Sequence, residues 1–198
     1  MLYLEYTKED ILKAQKITID LKDVLSLNFN LLKDKNIKTK FENTTLISNG
    51  DSDVYVDMNG SACFSDFGFI GVARLESQRL TLFKEKGTVC ACCGLEASFF
   101  RKDVGLSSKA IRNLTEPYKG TFHLNLYGIR DGEEVLFTKD HILAKSNGGR
   151  NNFQNYATMC TQCNRLKGSY KLSLQEFKKL YAENNTEKLK EILVKFYK

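Results

Sequence analysis

Two Cys-x-x-Cys pairs place the strongest constraint on how this chain folds, because they lie far apart in the sequence. Each pair has the two-residue spacing that lets backbone amides face both sulfur atoms, and Gly94 after the first pair permits a tight knuckle. Four thiolates are enough to close one tetrahedral zinc site. The sequence therefore predicts a structural Zn²⁺ held by Cys90, Cys93, Cys160 and Cys163.

Cysteine usage also indicates the compartment in which the chain works. Four of its six cysteines fall in these two pairs, which suits metal binding in a reducing compartment better than a secreted disulfide framework. Cys63 and Cys92 are left over, and Cys92 should point away from the metal because it adjoins Cys93. The start of the chain is unlike a signal peptide, and no window approaches ~18 consecutive apolar residues. We therefore expect a cytoplasmic protein with no membrane partner.

Residues 140–167 hold the side chains best suited to chemistry. Hydrolysis of a phosphodiester needs a base for the attacking water, a cation for the leaving oxygen and a group that orients the base. The imidazole of His141 can take a proton, whereas a hard divalent cation prefers oxygen ligands such as Asp140 and Asn164. Asn155 completes the set as the orienting group. The base and the metal site are therefore expected side by side.

The order of these motifs resembles a known family. Along the chain they are Cys-x-x-Cys-Gly, Asp-His-Ile, Gly-Gly, Asn and Cys-x-x-Cys-Asn-x-x-Lys. This combination resembles the HNH (His-Me finger) nucleases, in particular the zinc-stapled phage-type members, over residues 81–170. Asn164 stands where some members carry histidine, and it keeps an oxygen ligand for a hard metal ion.

The resemblance implies a ligand set and a mechanism. It implies that Asp140 and Asn164 hold a catalytic Mg²⁺ or Mn²⁺. It also implies that His141 is the general base and that Asn155 orients the His141 ring. Products with 5′-phosphate and 3′-hydroxyl ends would follow.

The expected fold class is α+β, with a ββα-metal (HNH) finger that contains the four-cysteine zinc site. We expect a small α+β N-terminal region of unknown role at 1–80, the HNH nuclease domain at 81–170 and a C-terminal helical extension at 171–198. Since 42% of the 198 residues are hydrophobic, the chain can bury one substantial core or two small ones. A capping box at Ser173 and Glu176 predicts the first C-terminal helix.

Local patterns predict further elements on either side of the first cysteine pair. Residues 2–6 alternate like a short strand, and Thr7 with Asp10 is typical of the start of a helix. Alternation in the range 37–58 predicts two or three antiparallel strands. Residues 72–86 predict an amphipathic helix.

A tight hairpin is predicted around Asp131-Gly132, the preferred two-residue turn, with strands at 122–130 and 133–140. A two-residue loop pairs residues that are equidistant from the turn, so His123 should face Asp140. His123 would then be a hydrogen-bond partner of that carboxylate or an additional ligand of the cation. A strand histidine with a structural hydrogen bond is an equal alternative, and a bulge would void the register.

After the Asp-His pair, the sequence predicts a turn, a strand and a short helix. Asn147-Gly148-Gly149 is typical of a flexible turn that a DNA backbone could approach closely. Residues 153–159 predict a second strand that carries Asn155 back toward His141. The knuckle at Cys160 then starts the helix, which completes the ββα arrangement.

Basic residues are concentrated in the second half of the chain, whose total net charge is +6. Residues 1–80 carry 10 basic and 12 acidic groups, 81–170 carry 13 and 8, and 171–198 carry 7 and 4. Phosphate backbones attract such a surface through salt-dependent counterion release, although ordinary solubilising charge gives the same totals. The expected nucleic-acid contacts are Lys145, Arg150, Arg165 and Lys167.

These features predict a metal-dependent HNH endonuclease that hydrolyses DNA, phage-encoded or homing-like, and located in the host cytoplasm. Two alternatives stay open: a restriction or defence nuclease, and a zinc-stapled nucleic-acid-binding module without catalysis. One such site cuts one strand, so a homodimer is one assembly that would cut both. Residues 1–80 carry no readable motif and could recognise DNA, a partner protein or another subunit.

Overall fold

The structure is a computed structural model that describes residues 4–26, 44–49, 52–57, 63–65, 73–75 and 77–196. Its backbone contacts divide the chain into two units, each built from two stretches of sequence. The first unit takes Met1–Leu80 and Phe99–Asn125, and the second takes Thr81–Ser98 and Leu126–Lys198. Helices and strands are mixed along the chain, so the predicted α+β class is confirmed.

The described elements follow one another along the chain. The first eight are β1 (Leu4–Tyr6), α1 (Lys8–Ala14), β2 (Thr18–Ile19), α2 (Leu21–Leu25), β3 (Thr44–Asn49), β4 (Ser52–Asp57), β5 (Cys63–Ser65) and β6 (Ala73–Arg74). They are followed by α3 (Gln78–Lys86), β7 (Phe99–Asp103), α4 (Ser108–Arg112), β8 (Tyr118–Gly120) and β9 (Phe122–Arg130). The last are β10 (Glu133–His141), β11 (Tyr156–Cys160), α5 (Thr161–Lys167), α6 (Leu174–Glu183) and α7 (Thr186–Val194).

In the first unit, β3 to β6 form an antiparallel series in which each strand pairs with the next. The alternating sequence there does form strands, as predicted, while positions 37–43, 50–51 and 58 lie outside the described residues. β6 pairs in parallel with the start of β9, and Arg74 lies opposite His123. Two smaller antiparallel pairings join β1 to β8 and β2 to β7.

The helix α1 begins where the sequence predicted, because Thr7 and Asp10 cap it reciprocally. The Thr7 hydroxyl accepts from Asp10 N at 3.2 Å, and the Asp10 carboxylate accepts from Thr7 N at 3.0 Å. Hydrogen bonds from the Thr7 side chain and backbone hold the pKa of Asp10 below its usual value. Ile11 and Ala14 face the other way and are buried.

The helix predicted at 72–86 is shorter in the structure, so the prediction for its first residues was wrong. α3 begins only at Gln78, because Ser77 Oγ accepts from Leu80 N at 3.0 Å and caps the helix there. Ala73 and Arg74 belong to the strand β6 instead, while positions 72 and 76 lie outside the described residues. A two-residue strand leaves too few residues for periodicity to reveal it.

β9 and β10 form the predicted hairpin at their ends in the second unit. Asp131 and Gly132 have φ of +53° and +80°, the left-handed backbone that a two-residue turn of this kind needs. The register is the predicted one over four pairs outward from the turn, ending at Tyr127 and Leu136. No bulge interrupts these pairs at Gly128, which lies within them.

β10, β11 and α5 build the predicted ββα arrangement. β10 pairs with β11 over five residue pairs, from Phe137–Cys160 to His141–Tyr156. All five residues of β11 are buried, so this strand lies inside the unit. Cys160 then caps α5, its sulfur accepting from Cys163 N at 3.5 Å.

The strand predicted at 153–159 begins later than expected. Phe153–Asn155 form a 3-10 turn, which Asn152 caps by accepting from Asn155 N at 2.8 Å. Lys86 fixes this turn by donating to the carbonyls of Phe153 and Tyr156 at 2.9 and 2.7 Å. Asn155 therefore lies just before β11 rather than within a strand.

Two helices follow the ββα arrangement, as predicted. Ser173 and Glu176 form the capping box of α6, in which Ser173 N donates to the Glu176 carboxylate at 2.7 Å. Asn185 caps α7 by accepting from Lys188 N at 2.9 Å. The apolar stripes of the two helices are buried at Phe177, Leu189 and Leu193. Within the described ranges, no helix combines the length and apolar character needed to cross a membrane.

Candidate active site and metal centre

The two cysteine pairs come together in the second unit. The sulfur atoms of Cys90, Cys93, Cys160 and Cys163 all lie within 4.8 Å of one another. The Cys93 and Cys160 sulfurs are 3.9 Å apart, close to the ~3.8 Å edge of a tetrahedron whose Zn–S distance is about 2.3 Å. The predicted clustering of these four thiols is confirmed, and the donor set fits a zinc ion.

The protonation of these thiols supports a metal-binding role. Hydrogen bonds from Cys160 and Cys163 hold the pKa of the Cys90 thiol far below its usual value. The pKa of Cys163 is raised instead, by its contacts with Cys160 and then Cys90. The packed thiols therefore cannot all ionise together unless a cation compensates their charge. Cys92 is buried and lies outside the group of four, but it does not point away as expected, because its side chain contacts Cys163.

Arg130 extends the cysteine centre, and sequence reasoning did not predict this role. Its guanidinium donates to Cys93 Sγ at 2.8 Å and also contacts the side-chain oxygen of Gln162. A Zn²⁺ with four thiolates carries a net charge of −2, so a neighbouring cation stabilises it. Arg130 ends β9 beside the hairpin turn, a position that sequence spacing does not connect to the cysteines.

Asp140 and His141 end β10, where they lie opposite Ala157 and Tyr156 of β11. The ammonium of Lys167, on α5, lies 2.8 Å from Asp140 Oδ2 and donates to the His141 carbonyl at 2.6 Å. Asp140 Oδ2 is buried and, apart from this ion pair, makes no well-aligned hydrogen bond. The predicted contact of Lys167 with nucleic acid does not fit this position, because Lys167 is only 2% exposed.

Asn164 is held toward the same face of β10 as Asp140. Its Nδ2 donates to Thr138 Oγ1 at 2.8 Å, and Thr138 lies two residues before Asp140, on the same side of the strand. This bond fixes the amide so that its oxygen is the atom left to bind a ligand. A buried carboxylate oxygen that lacks an aligned donor, together with an amide oxygen, suits a hard cation such as Mg²⁺ or Mn²⁺. The residues present therefore fit the predicted cation.

The ring of His141 is oriented by Asn151. His141 Nε2 lies 2.9 Å from Asn151 Oδ1, and the edge of the ring packs against Tyr156 with centroids 4.9 Å apart. An amide oxygen only accepts, so Nε2 must carry the proton in the neutral ring. Nδ1 is then the basic nitrogen of His141.

Asn155 performs a different task from the one predicted for it. Its Oδ1 accepts from Leu143 N at 2.9 Å, and its Nδ2 donates to the carbonyls of Leu143 and Arg150, each at 3.0 Å. These bonds use both amide hydrogens and fasten the loop that follows His141. The orienting contact expected from Asn155 is made by Asn151, which the sequence reasoning missed because nothing distinguishes it from its asparagine neighbours.

Residues 130–173 match the family model described as HNH endonuclease. This segment is similar to an HNH endonuclease domain, hereafter the HNH domain. Neither the curated proteins nor the solved structures contain a match to the chain. The HNH domain includes β10, β11 and α5, and with them Asp140, His141 and Asn164. It indicates a nuclease that acts on nucleic acid.

Three of the predicted nucleic-acid contacts lie on the surface of the HNH domain. Lys145, Arg150 and Arg165 are all exposed. Lys145 begins a 3-10 turn that ends at Asn147, and Arg150 lies in the loop fastened by Asn155. Unlike the buried Lys167, these three side chains are accessible to nucleic acid.

His123 lies before the HNH domain, near the start of β9 in the first unit. His123 pairs with Arg74 of β6. The four residue pairs between β9 and β10 end at Tyr127 and Leu136, so they include neither His123 nor Asp140. The predicted His123–Asp140 pair is therefore not part of that ladder. The pKa of His123 is lowered mainly by partial burial and next by the positive charge of Arg79. The negative charge of Asp103 raises it, but by less.

Proposed function

We propose that the protein is a metal-dependent endonuclease that hydrolyses phosphodiester bonds of DNA. The observation that carries this proposal is the arrangement at the end of β10. There, a histidine whose ring is fixed by Asn151 follows a carboxylate with one buried oxygen, and Asn164 is held on the same face. A base and a pair of hard oxygen ligands are the parts that phosphodiester hydrolysis needs.

His141 would take the proton of the attacking water at Nδ1, because Nε2 is occupied by Asn151. Asn151 keeps the ring in one tautomer and one orientation, which lowers the entropic cost of reaching the reactive geometry. Asp140 and Asn164 would hold Mg²⁺ or Mn²⁺. The bound cation supplies charge stabilisation at the leaving oxygen.

The cysteine centre would hold Zn²⁺ in a structural role. Its four ligands leave no open position for substrate, and its donors come from the knuckle at residues 90–93 and from the start of α5. α5 also carries Asn164 and Lys167, so the zinc would fix the helix that supplies them. Removal of this metal should disturb the catalytic site indirectly.

We infer DNA as the substrate because basic groups exceed acidic ones by 13 to 8 in residues 81–170. A phage-encoded or homing-like enzyme in the host cytoplasm is the role we propose, with a restriction or defence nuclease as the alternative. In this proposal 81–170 is the nuclease domain, 171–198 its helical extension, and 1–80 the part that selects the target or partner. A homodimer would supply the second site for a double-strand cut.

A binding module without catalysis is a second candidate, and one observation favours it. The Lys167 ammonium already neutralises Asp140, at 2.8 Å from Oδ2. If that pair is permanent, the carboxylate is closed to a divalent cation. The HNH domain would then serve only to hold nucleic acid.

Cleavage of supercoiled plasmid separates these candidates. The wild type and His141→Ala are incubated with Mg²⁺ or Mn²⁺ at low and moderate salt. If the protein is an endonuclease, the wild type converts plasmid to nicked or linear form and His141→Ala does not. The product form reports whether one or two strands are cut. Binding without cleavage by both proteins, on plasmid and on genomic DNA, would leave the binding module as the function.

A further inference from the structure

A shallow cleft beside His141, in the second unit, has no part in the proposed hydrolysis. Its volume is about 360 Å³, and its lining is Ile142, Leu143, Asn147, Lys171, Leu172 and Ser173. Ile142 and Leu143 follow His141 directly in the chain. Since consecutive Cα atoms are about 3.8 Å apart, the Cα atoms of these two lining residues lie within about 8 Å of the His141 Cα.

The two walls of this cleft are fastened in place by asparagines. Asn155 binds both backbone groups of Leu143, at 2.9 and 3.0 Å, and so fixes the first wall. Asn147 Nδ2 donates to the carbonyls of Ser169 and Tyr170 at 3.1 and 3.0 Å, just before the second wall begins at Lys171. The cleft is therefore formed in advance, which lowers the cost of binding a ligand.

The surface of the cleft is apolar, although its surroundings are basic. Leu143 is 43% exposed at its rim, whereas Leu172 is buried beneath it. Asp140, which is already paired, is the sole acidic residue in the sequence between Glu134 and Glu176. The carboxylate of Glu176 itself is engaged at the edge of the cleft, where it accepts from Ser173 N and Oγ at 2.7 Å each. The same stretch carries four exposed basic residues, namely Lys145, Arg150, Arg165 and Lys171.

These features favour a ligand with apolar faces joined to a chain of negative charges. A nucleobase has that chemistry, because its flat face is apolar and its strand carries phosphates on either side. A neutral apolar peptide would match the lining but not the charge, and an isolated phosphate would match the charge but not the lining. Because the cleft adjoins His141 in the chain, a nucleobase bound in the cleft would lie near the phosphate to be cut.

We propose that this cleft binds a nucleobase of the DNA strand being cut, with Leu143 packed against the base. The proposal rests on the proposed function, since it takes DNA as the substrate. Leu143 is a binding residue in this scheme, and it positions the strand relative to His141. A base that leaves the stack to enter the cleft would lose its neighbours, as happens where apolar side chains wedge into duplex DNA.

The test measures binding in the absence of cleavage. His141→Ala protein is titrated, without divalent metal, into a duplex in which 2-aminopurine replaces several adenines, at a series of salt concentrations. Leu143→Ala in this background should weaken binding about tenfold, because a base–side-chain contact is lost. It should also abolish the rise in 2-aminopurine fluorescence that an unstacked base gives.

Two comparisons give the test its specificity. Ile129→Ala removes an equally exposed apolar side chain, at 45%, from the hairpin of the same unit and should change nothing. Lys145→Ala should reduce the slope of log affinity against log salt by about one, whereas Leu143→Ala should leave the slope unchanged. Leu143→Met should retain most of the affinity.

The outcomes also separate this proposal from the proposed function. If Leu143→Ala has the same DNA affinity and the same 2-aminopurine fluorescence as the parent, the cleft proposal is overturned, even if the wild type cuts DNA. A loss on Leu143→Ala in a protein that never cleaves would support the cleft and reject the endonuclease. If the parent binds no DNA at all, the cleft proposal is overturned, whereas the endonuclease is still decided by plasmid cleavage with the wild type.

Discussion

The Lys167 ammonium lies 2.8 Å from Asp140 Oδ2, and the two side chains are 3% and 12% exposed. Lys167→Met should leave the carboxylate buried without its cation and lower the free energy of unfolding by about 3 kcal/mol in metal-free buffer. Urea unfolding measures this loss. Lys179→Met is the matched control, because it breaks a pair of 4.0 Å between side chains that are 75% and 55% exposed.

Addition of Mn²⁺ tests whether Asp140, the carboxylate of that ion pair, also binds a divalent cation. If Asp140 holds the catalytic cation, Mn²⁺ should restore part of the stability that Lys167→Met removes, since ligand binding to the folded state stabilises it. The cation and the ammonium compete for one carboxylate, so the variant should also bind Mn²⁺ more tightly than the wild type. Equal affinity of both proteins for Mn²⁺ would show that Asp140 is not its ligand.

The two asparagines near His141 should give different phenotypes. Asn151→Ala frees the His141 ring and should lower the cleavage rate about 100-fold without weakening DNA binding. Asn155→Ala removes the acceptor of Leu143 N, so amide exchange at Leu143 should accelerate markedly. If Asn155→Ala slows cleavage and leaves exchange at Leu143 unchanged, the role found in the structure is wrong.

These asparagines show where sequence reasoning reached its limit. The four-cysteine cluster, the ββα order and the capping boxes were predictable, because each depends on residue types at short, fixed spacing. The partner of His141 depends on how the loop after β10 returns, and several asparagines there are chemically equivalent. Residue type and the family resemblance therefore selected Asn155, whereas the contact with the His141 ring is made by Asn151.

Lys167 illustrates the same limit for charge. A lysine near a nuclease motif is usually exposed, and its burial here follows from the packing of α5 against β10, which composition does not encode. The late start of α3 has a local cause, since the hydroxyl of Ser77 caps the helix within a stretch that otherwise looks helical. Both errors concern which partner a polar group finds.

Zinc binding should depend on the four clustered cysteines and not on Cys92. We expect one Zn²⁺ per wild-type chain, and loss of that metal on Cys163→Ser, with unfolding of the region around α5. Metal analysis and the charge-transfer absorption of Co²⁺-substituted protein measure this. Cys92→Ala is the control and should keep one metal, so a loss of zinc there would contradict the assignment.

His123 should make the stability of the first unit depend on pH. Its pKa is lowered in the folded protein, so folding favours the neutral ring. The stabilisation is complete above the unfolded value of about 6.5 and is lost as the pH falls through the lower folded value. Urea unfolding between about pH 8 and pH 5 should therefore show a steeper loss for the wild type than for His123→Gln.

The same residue tests the remaining sequence prediction for the cation site. If His123 assists Asp140 or the cation, His123→Ala should weaken Mn²⁺ binding and slow cleavage. Unchanged affinity and rate, together with the altered pH dependence, would assign His123 to the stability of β9 alone.

Gly149 should be irreplaceable in the loop after His141. A Cβ at this position would lie 1.8 Å from the Leu143 carbonyl oxygen and 2.7 Å from its carbon, and both are backbone atoms that Asn155 holds in place. Gly149→Ala must therefore push the loop away, which should displace Leu143, accelerate its amide exchange and reduce cleavage at least tenfold. Gly105→Ala is the control, because its Cβ would meet only His123 Nε2, at an ordinary 3.8 Å. Normal cleavage by Gly149→Ala would mean that the loop tolerates displacement and that its fixed position does not contribute to the reaction.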